Sequence, residues 1–319
     1  MKLNRLGKSE LMVSEIGFGC WVFSNDREWG AIDENEALNT VHVAIDAGVN
    51  FFDTAEGYGR GHSEKVLGKA LAGRREKVII STKVSGKHLA ADELPTALED
   101  SLRRLQTDYI DLYTIHWPSR TIPFEETVNS MLRAKEQGKI RHIGVSNFGV
   151  GDLTDIVELS EVAANQVPYN LFWRMLEAGI LQKCIAENIS IVAYSPLAQG
   201  LLTGKFKTAS DIPEGNRAGT RLYRGDALAL AFEALSRLQA VCSKIGAALA
   251  PMSLAWLIQQ PGVGSVIPGA RNRAQLSENL KAAEVRLSEE IVAELREISQ
   301  PLFDHLGSDP DMWGGNRYR

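Results

Sequence analysis

Eight short apolar runs recur along the chain with stretches of helical period between them, the pattern of repeated strand and helix units. The runs cover residues 16–20, 49–52, 78–82, 110–115, 142–145, 164–167, 189–193 and 265–267. Eight is the number of strands that closes a parallel barrel, so the spacing predicts an α/β fold of the (β/α)8 TIM barrel type. Helical period is clearest over 34–47, 95–104, 124–137 and 153–159, and Gly48, Gly73 and Gly138 stand where helix C-caps are wanted. The 319 residues fit one such barrel with insertions. No Pro/Ser-rich linker divides them, so residues 1–319 read as a single domain.

Three segments exceed a minimal barrel. Short segments flanking Gly7-Lys8-Ser9 suggest an N-terminal hairpin that plugs the barrel's bottom. Residues 205–226 are rich in Gly, Arg and turn formers without a clear period, and so long a loop in a compact domain is usually functional. Residues 301–319 also read as irregular, either a frayed tail or a flap over the site.

Composition removes several function classes. A net charge of −5 argues against a nucleic-acid partner, because phosphate contacts need a basic face. Cys20, Cys184 and Cys242 are odd in number and far apart, which suits a reducing compartment. The N-terminus lacks the apolar core of a signal peptide, and no stretch approaches the roughly 18 apolar residues of a membrane span. A soluble, cytoplasmic chain with no membrane partner is expected. Histidines 42, 62, 88, 142 and 305 lack metal-ligand spacing, so no metal is expected.

The chemistry gathers where the apolar runs end. In a parallel barrel all strand C-termini open on one face, so residues distant in sequence share one site there. Asp53, Tyr58, Lys83 and His116 stand at such ends. An ammonium at the end of a buried strand must be solvated or paired, and Asp53 is its natural partner. A phenol is a weak acid, with a reference pKa of about 10. An ammonium roughly 4 Å away favours the phenolate by up to about 4 kcal/mol at an effective dielectric of 20. The expectation is therefore that Lys83 lowers the pKa of Tyr58 and makes it a general acid, with Asp53 holding the lysine charged. His116 would hydrogen-bond the same substrate oxygen. Taken singly, a lysine at a strand end can simply snorkel to water, and a lone histidine is commonly core.

Further polar groups follow later strands: Ser146 and Asn147, Gln166 and Asn170, Tyr194 and Ser195. Amides suit a carboxamide and a tyrosine face suits a flat ring, although Asn and Gln there can be plain turn residues. No Gly-x-Gly-x-x-Gly follows a strand, so the dinucleotide fingerprint of doubly wound sheets is missing. Gly200 to Phe206 resembles an ATP-binding loop but is one residue short and lacks its Ser or Thr. Pro268-Gly269-Ala270-Arg271 leads into a helix carrying Gln275, Glu278 and Asn279, and that N-terminus is a ready anion site.

Together these stretches resemble the aldo-keto reductase family from Gly17 to about Asn279. The likeness rests on Asn50-Phe-Phe-Asp-Thr-Ala-Glu-Gly-Tyr58-Gly, Thr82-Lys83, Ile115-His116-Trp-Pro118, Gly144-Val-Ser146-Asn147-Phe148, Gln166-Val-Pro-Tyr169-Asn170, Ala193-Tyr194-Ser-Pro-Leu197 and Ile267-Pro-Gly-Ala-Arg271. The resemblance implies a catalytic tetrad of Asp53, Tyr58, Lys83 and His116 working with NADPH across the barrel mouth. It places Ser146, Asn147 and Gln166 on the nicotinamide carboxamide and Tyr194 against the ring, with Cys20, Trp21 and Asp53 nearby. Ser195, Pro196, Leu197, Gln199, Gly200 and Lys205 would line the pyrophosphate, with Arg217 in a clamping loop. Gly269, Arg271, Gln275, Glu278 and Asn279 would surround the adenosine end.

The chain lacks the Lys-Ser after Ile-Pro, and the Arg at position 275, of the aldose reductase branch. It is closer to the branch holding bacterial reductases and potassium-channel β subunits. Arg271 can still pair with a 2′-phosphate, which favours NADPH over NADH. Trp21, Trp29, Tyr58, His116, Trp117 and Trp173, with Trp313, would wall the substrate pocket, although several of these tryptophans could equally be core. The expected activity is reduction of an aldehyde or ketone. The alternatives are an NADP(H)-binding regulatory subunit and a sugar or secondary-alcohol dehydrogenase.

Overall fold

The computed structural model describes residues 1–25, 29–213, 215–315 and 317–319, without the side chain of residue 216. Glu214 in the long loop and Asn316 in the C-terminal segment lie outside the described residues.

Strands β1 (Leu3–Arg5) and β2 (Met12–Ser14) pair antiparallel as the expected hairpin. The barrel then alternates through β3 (Phe18–Gly19), α1 (Glu34–Asp46), β4 (Phe51–Asp53), α2 (His62–Ala70), β5 (Ile79–Val84), α3 (Leu94–Leu105), β6 (Ile110–Ile115) and α4 (Phe124–Glu136). It continues through β7 (Ile140–Ser146), α5 (Val150–Val157), β8 (Ala164–Pro168), α6 (Ile180–Glu187), β9 (Ser190–Tyr194), α7 (Gly225–Ile245), α8 (Leu249–Ile258), β10 (Val263–Val266), α9 (Arg273–Leu280) and α10 (Glu289–Leu306).

Strands β3 to β10 lie side by side in sequence order, each parallel to the next. A parallel bridge between Ile16 and Val266 joins the two ends. Gly17 N donates to Val266 O (2.8 Å) and Gly19 N to Pro268 O (3.1 Å), which closes the (β/α)8 barrel.

Strand periodicity sorts the apolar residues into two cores. Phe52, Ile80, Tyr113, Val145, Val167 and Ile191 belong to the outer core with the helices. Phe51, Leu112, Ala164 and Val192 form an inner cluster with Leu6, Leu11 and Val13 of the hairpin. The hairpin therefore plugs the barrel's N-terminal mouth with apolar side chains. Two residues along from Phe51, Ile79 and Ala164, the same parity delivers Asp53, Ser81 and Gln166 inward at higher levels.

Several boundaries differ from the sequence reading, three of them with consequences for the loops and helices. The irregular C-terminal segment begins at Gly307 and not at Pro301, because α10 runs through that proline. Ile298, Leu302 and Leu306 bury one face of α10, and this tertiary packing outweighs the lost N–H. The long loop ends at Arg224, where α7 begins, and carries short 3-10 turns at Ala209–Asp211, Asn216–Gly219 and Arg221–Tyr223. Helix α5 starts at Val150, three residues earlier than its period suggests. Among the described residues no single helix is long and apolar enough to cross a membrane.

Candidate active site

Asp53 is the last residue of β4 and Lys83 sits one short of the end of β5, so both project into the barrel near its C-terminal mouth. Lys83 is completely buried. Its Nζ donates to Asp53 Oδ1 (2.7 Å), to the carbonyl of Thr54 (2.7 Å) and to the phenol oxygen of Tyr58 (3.2 Å). The second carboxylate oxygen of Asp53 accepts from Ser81 Oγ (3.0 Å) and Gln166 Nε2 (2.7 Å). Both charges thus have short, directed partners, as a buried ion pair requires.

Tyr58 stands on the turn after β4, held by its own N–H to Ala55 O (3.1 Å). Gly59 follows in a left-handed conformation (φ 57°), and a Cβ there would lie 1.8 Å from Ser24 O. Only glycine lets the turn approach that close and aim the phenol at Lys83. His116 continues from β6, its N–H donating to Val84 O (3.0 Å). Its ring meets the Tyr58 ring edge-on at 5.7 Å, and Trp21 stacks on the Tyr58 ring at 5.8 Å.

The electrostatics differ from expectation at one group. Lys83 and its hydrogen bond do pull the Tyr58 phenol towards ionisation, but burial is the largest effect and Asp53 adds to it. The phenol is therefore held above its ordinary pKa and stays protonated, whereas the sequence reading had it lowered. Burial alone would lower the Lys83 pKa, yet Asp53 and Tyr58 outweigh it and hold the ammonium above its usual range. Burial, helped by the Lys83 charge, pushes His116 down to about 3, so its imidazole is neutral at ordinary pH.

These groups open into a cleft of about 1050 Å³ that runs across the barrel mouth. It is lined by Trp21, Trp29, Asp53, Tyr58, His116, Trp117, Ser146, Asn147, Gln166 and Tyr194 at the tetrad end. Farther along lie Ser195, Pro196, Leu197, Gln199, Gly200, Lys205, Arg217, Gly269, Arg271, Gln275, Glu278 and Asn279. Two expected residues are elsewhere. Cys20 is fully buried beneath the floor, its thiol near Phe18 O. Trp173 is a core side chain whose Nε1 donates to Pro310 O (3.2 Å), so it walls nothing. Lys83 works from below the cleft surface. Sequence reading missed Val22, Thr203, Pro213, residues 248–250 and Arg317, because only folding brings those loops and the C-terminal segment to this mouth.

The far half of the cleft suits a dinucleotide. Ser195, Ala198 and Gln199 all take positive φ although none is glycine, an accumulation of backbone strain typical of ligand clamps. Both amide atoms of Gln199 are buried without a hydrogen-bond partner among the described residues. Lys205, Arg217 and Arg271 converge on the same stretch, and burial, then the two guanidinium charges, lower the Lys205 pKa. Unpaired amide groups and mutually repelling cations match a phosphate-bearing ligand. The amide of Asn147, in contrast, is fully engaged within the protein. Its Nδ2 donates to His116 O and Ser146 Oγ (3.0 Å each), and its Oδ1 accepts from Tyr194 Oη (3.0 Å) and Tyr318 Oη (2.7 Å). A direct grip on a carboxamide by Asn147 would need one of these bonds to be released.

The sequence profile of the Aldo/keto reductase family matches residues 15–300. The chain is 30% identical to the NADH-specific methylglyoxal reductase of Escherichia coli, over 95% of this chain and 99% of that one. It is 34% identical to a probable voltage-gated potassium channel subunit beta of Oryza sativa, over 94% and 97% of the two chains. Among solved structures it is similar to an aldo-keto reductase from Klebsiella pneumoniae in complex with NADPH, with a TM-score of 0.77 and 30% identity over 94% and 95%.

Proposed function

The chain belongs to the aldo/keto reductase family, the NADP(H)-dependent oxidoreductases of carbonyl and alcohol groups, and from that premise we propose that it reduces an aldehyde or ketone with Tyr58 as the general acid. The observation that carries this reading is the 3.2 Å contact from Lys83 Nζ to Tyr58 Oη, with Asp53 2.7 Å behind the lysine. NADPH, when bound, supplies the hydride. Lys205, Arg217 and Arg271 line the cleft and would take its phosphates, and Arg271 would favour the phosphorylated dinucleotide. Similarity to an NADPH complex supports that preference, although the E. coli relative is NADH-specific.

The protein's own part is positioning and proton delivery. A carbonyl oxygen seated between Tyr58 and His116 gains basicity as negative charge develops on it. The protonated phenol then gives up its proton, and the Lys83 ammonium stabilises the phenolate left behind. Neutral His116 can donate one N–H to the same oxygen without competing as a base.

Loss of NADPH absorbance with a panel of aldehydes tests the activity. Tyr58→Phe is expected to lower kcat by about 10²–10⁴-fold and to leave NADPH affinity within about twofold. Turnover in that variant equal to the parent's would remove Tyr58 from its role.

A further inference from the structure

The four hydrogen bonds on Asn147 bring a residue of the C-terminal segment into contact with the tetrad end of the cleft. An amide has two N–H donors and two acceptor lone pairs, and Asn147 uses all of them inside the protein. Its side chain therefore braces its neighbours. One neighbour is Tyr194, the wall of the cleft beside Ser146 and Gln166, and the other is Tyr318. Both phenols donate to the same oxygen, so the position of either depends on how firmly the other holds the amide.

Tyr318 is itself well anchored. Its ring meets Trp117 edge-on at 6.0 Å. On one side Arg317 pairs with both oxygens of buried Asp311 (2.9 Å each) and lays its guanidinium 3.6 Å above the Trp117 ring. On the other side Arg319 pairs with buried Asp152, and its carbonyl accepts from Gly151 N (2.7 Å). Arg120 bridges the two halves by bonding both Asp152 and the Arg317 carbonyl. Trp313, earlier in the segment, lines the same cleft as Tyr194. A segment fastened at both ends delivers one hydroxyl to a fixed place, which is how a positioning group is built.

We propose that Tyr318 is a positioning residue of the cofactor site: through Asn147 Oδ1 it fixes Tyr194, the face against which the nicotinamide ring is held. The inference rests on reading the cleft as an NADPH site. Removing the Tyr318 hydroxyl leaves the Asn147 amide held by three bonds instead of four, so the oxygen that Tyr194 bonds is held less firmly.

The test measures NADPH dissociation constants by quenching of intrinsic tryptophan fluorescence in the full chain, for the parent, Tyr318→Phe, Tyr194→Phe and the double variant. Phenylalanine keeps the ring against Trp117, so folding is preserved and the melting temperature checks it. Tyr318→Phe is expected to weaken NADPH about fivefold, the loss of one neutral hydrogen bond, and to leave KM for the carbonyl substrate within about twofold. The two single effects should multiply to more than the double variant shows, because both hydroxyls serve one oxygen. A Tyr318→Phe dissociation constant within about twofold of the parent's, or tighter than it, overturns the proposal, and so does strict multiplication. Failure of the parent to bind NADPH removes the underlying reading and this inference together. Binding by the parent with no change in the variant removes this inference alone.

Discussion

Lys83 shows how a single buried charge organises chemistry. Its ammonium is completely buried, so it takes a carboxylate, a carbonyl and a phenol as its shell, and the phenol is the one facing the cleft. The partners were legible in sequence because the four residues of the tetrad lie at or just beyond the ends of apolar runs. The sign of the Tyr58 shift was not, since burial is set by Trp21, His116 and the rest of the mouth, which sequence does not place. His116 gives a pH prediction at this scale. Its pKa falls from about 6.5 unfolded to about 3 folded, so below pH 6.5 the unfolded chain binds a proton that the folded chain refuses. This group therefore makes stability fall as pH drops from about 6.5 towards 3, by at most about 1.4 kcal/mol per pH unit, and adds no dependence above that window. Thermal melts of the parent and His116→Gln between pH 4 and 7 should show a shallower decline in the variant.

At the scale of elements, strand parity turns a list of polar residues into a site. Because side chains alternate, Phe51 with Asp53, Ile79 with Ser81 and Lys83, and Ala164 with Gln166 share the inward face, apolar at the bottom and polar at the mouth. The runs themselves were visible, but which parity faces inward was not, since both faces of a barrel strand are apolar. Helix packing is equally demanding. Gly68 lies inside α2 where α3 crosses, and a Cβ there would stand 2.6 Å from Arg104 O and 2.7 Å from the Leu105 carbonyl carbon. Gly68→Ala would gain about 1 kcal/mol of helix propensity but cost about 1–3 kcal/mol of overpacking against backbone that cannot swing away. We expect a net loss of up to about 2 kcal/mol, seen as a lower urea midpoint at unchanged m value.

Across the whole molecule, stability and chemistry occupy opposite ends of the barrel. The hairpin drives Leu6, Leu11 and Val13 into the N-terminal mouth, where they pack with Phe51, Leu112 and Val192. Leu6 is completely buried, so Leu6→Ala is expected to lower unfolding free energy by about 2–5 kcal/mol. Its kcat should stay within about twofold, because the tetrad lies at the other mouth; a large loss of kcat in folded protein would refute that separation. The sequence by itself determined the repeat of strands and helices, the hairpin and the residues of the tetrad. These depend on local period and on the rule that parallel strands share one open face. Only the tertiary structure decided that Trp173 and Cys20 leave the cleft, that Pro301 lies within a helix and that the C-terminal segment reaches Asn147. Those outcomes turn on contacts between residues far apart in the chain, such as Tyr318 with Asn147 and Trp173 with Pro310, whose strength depends on packing and burial and leaves no local pattern to read.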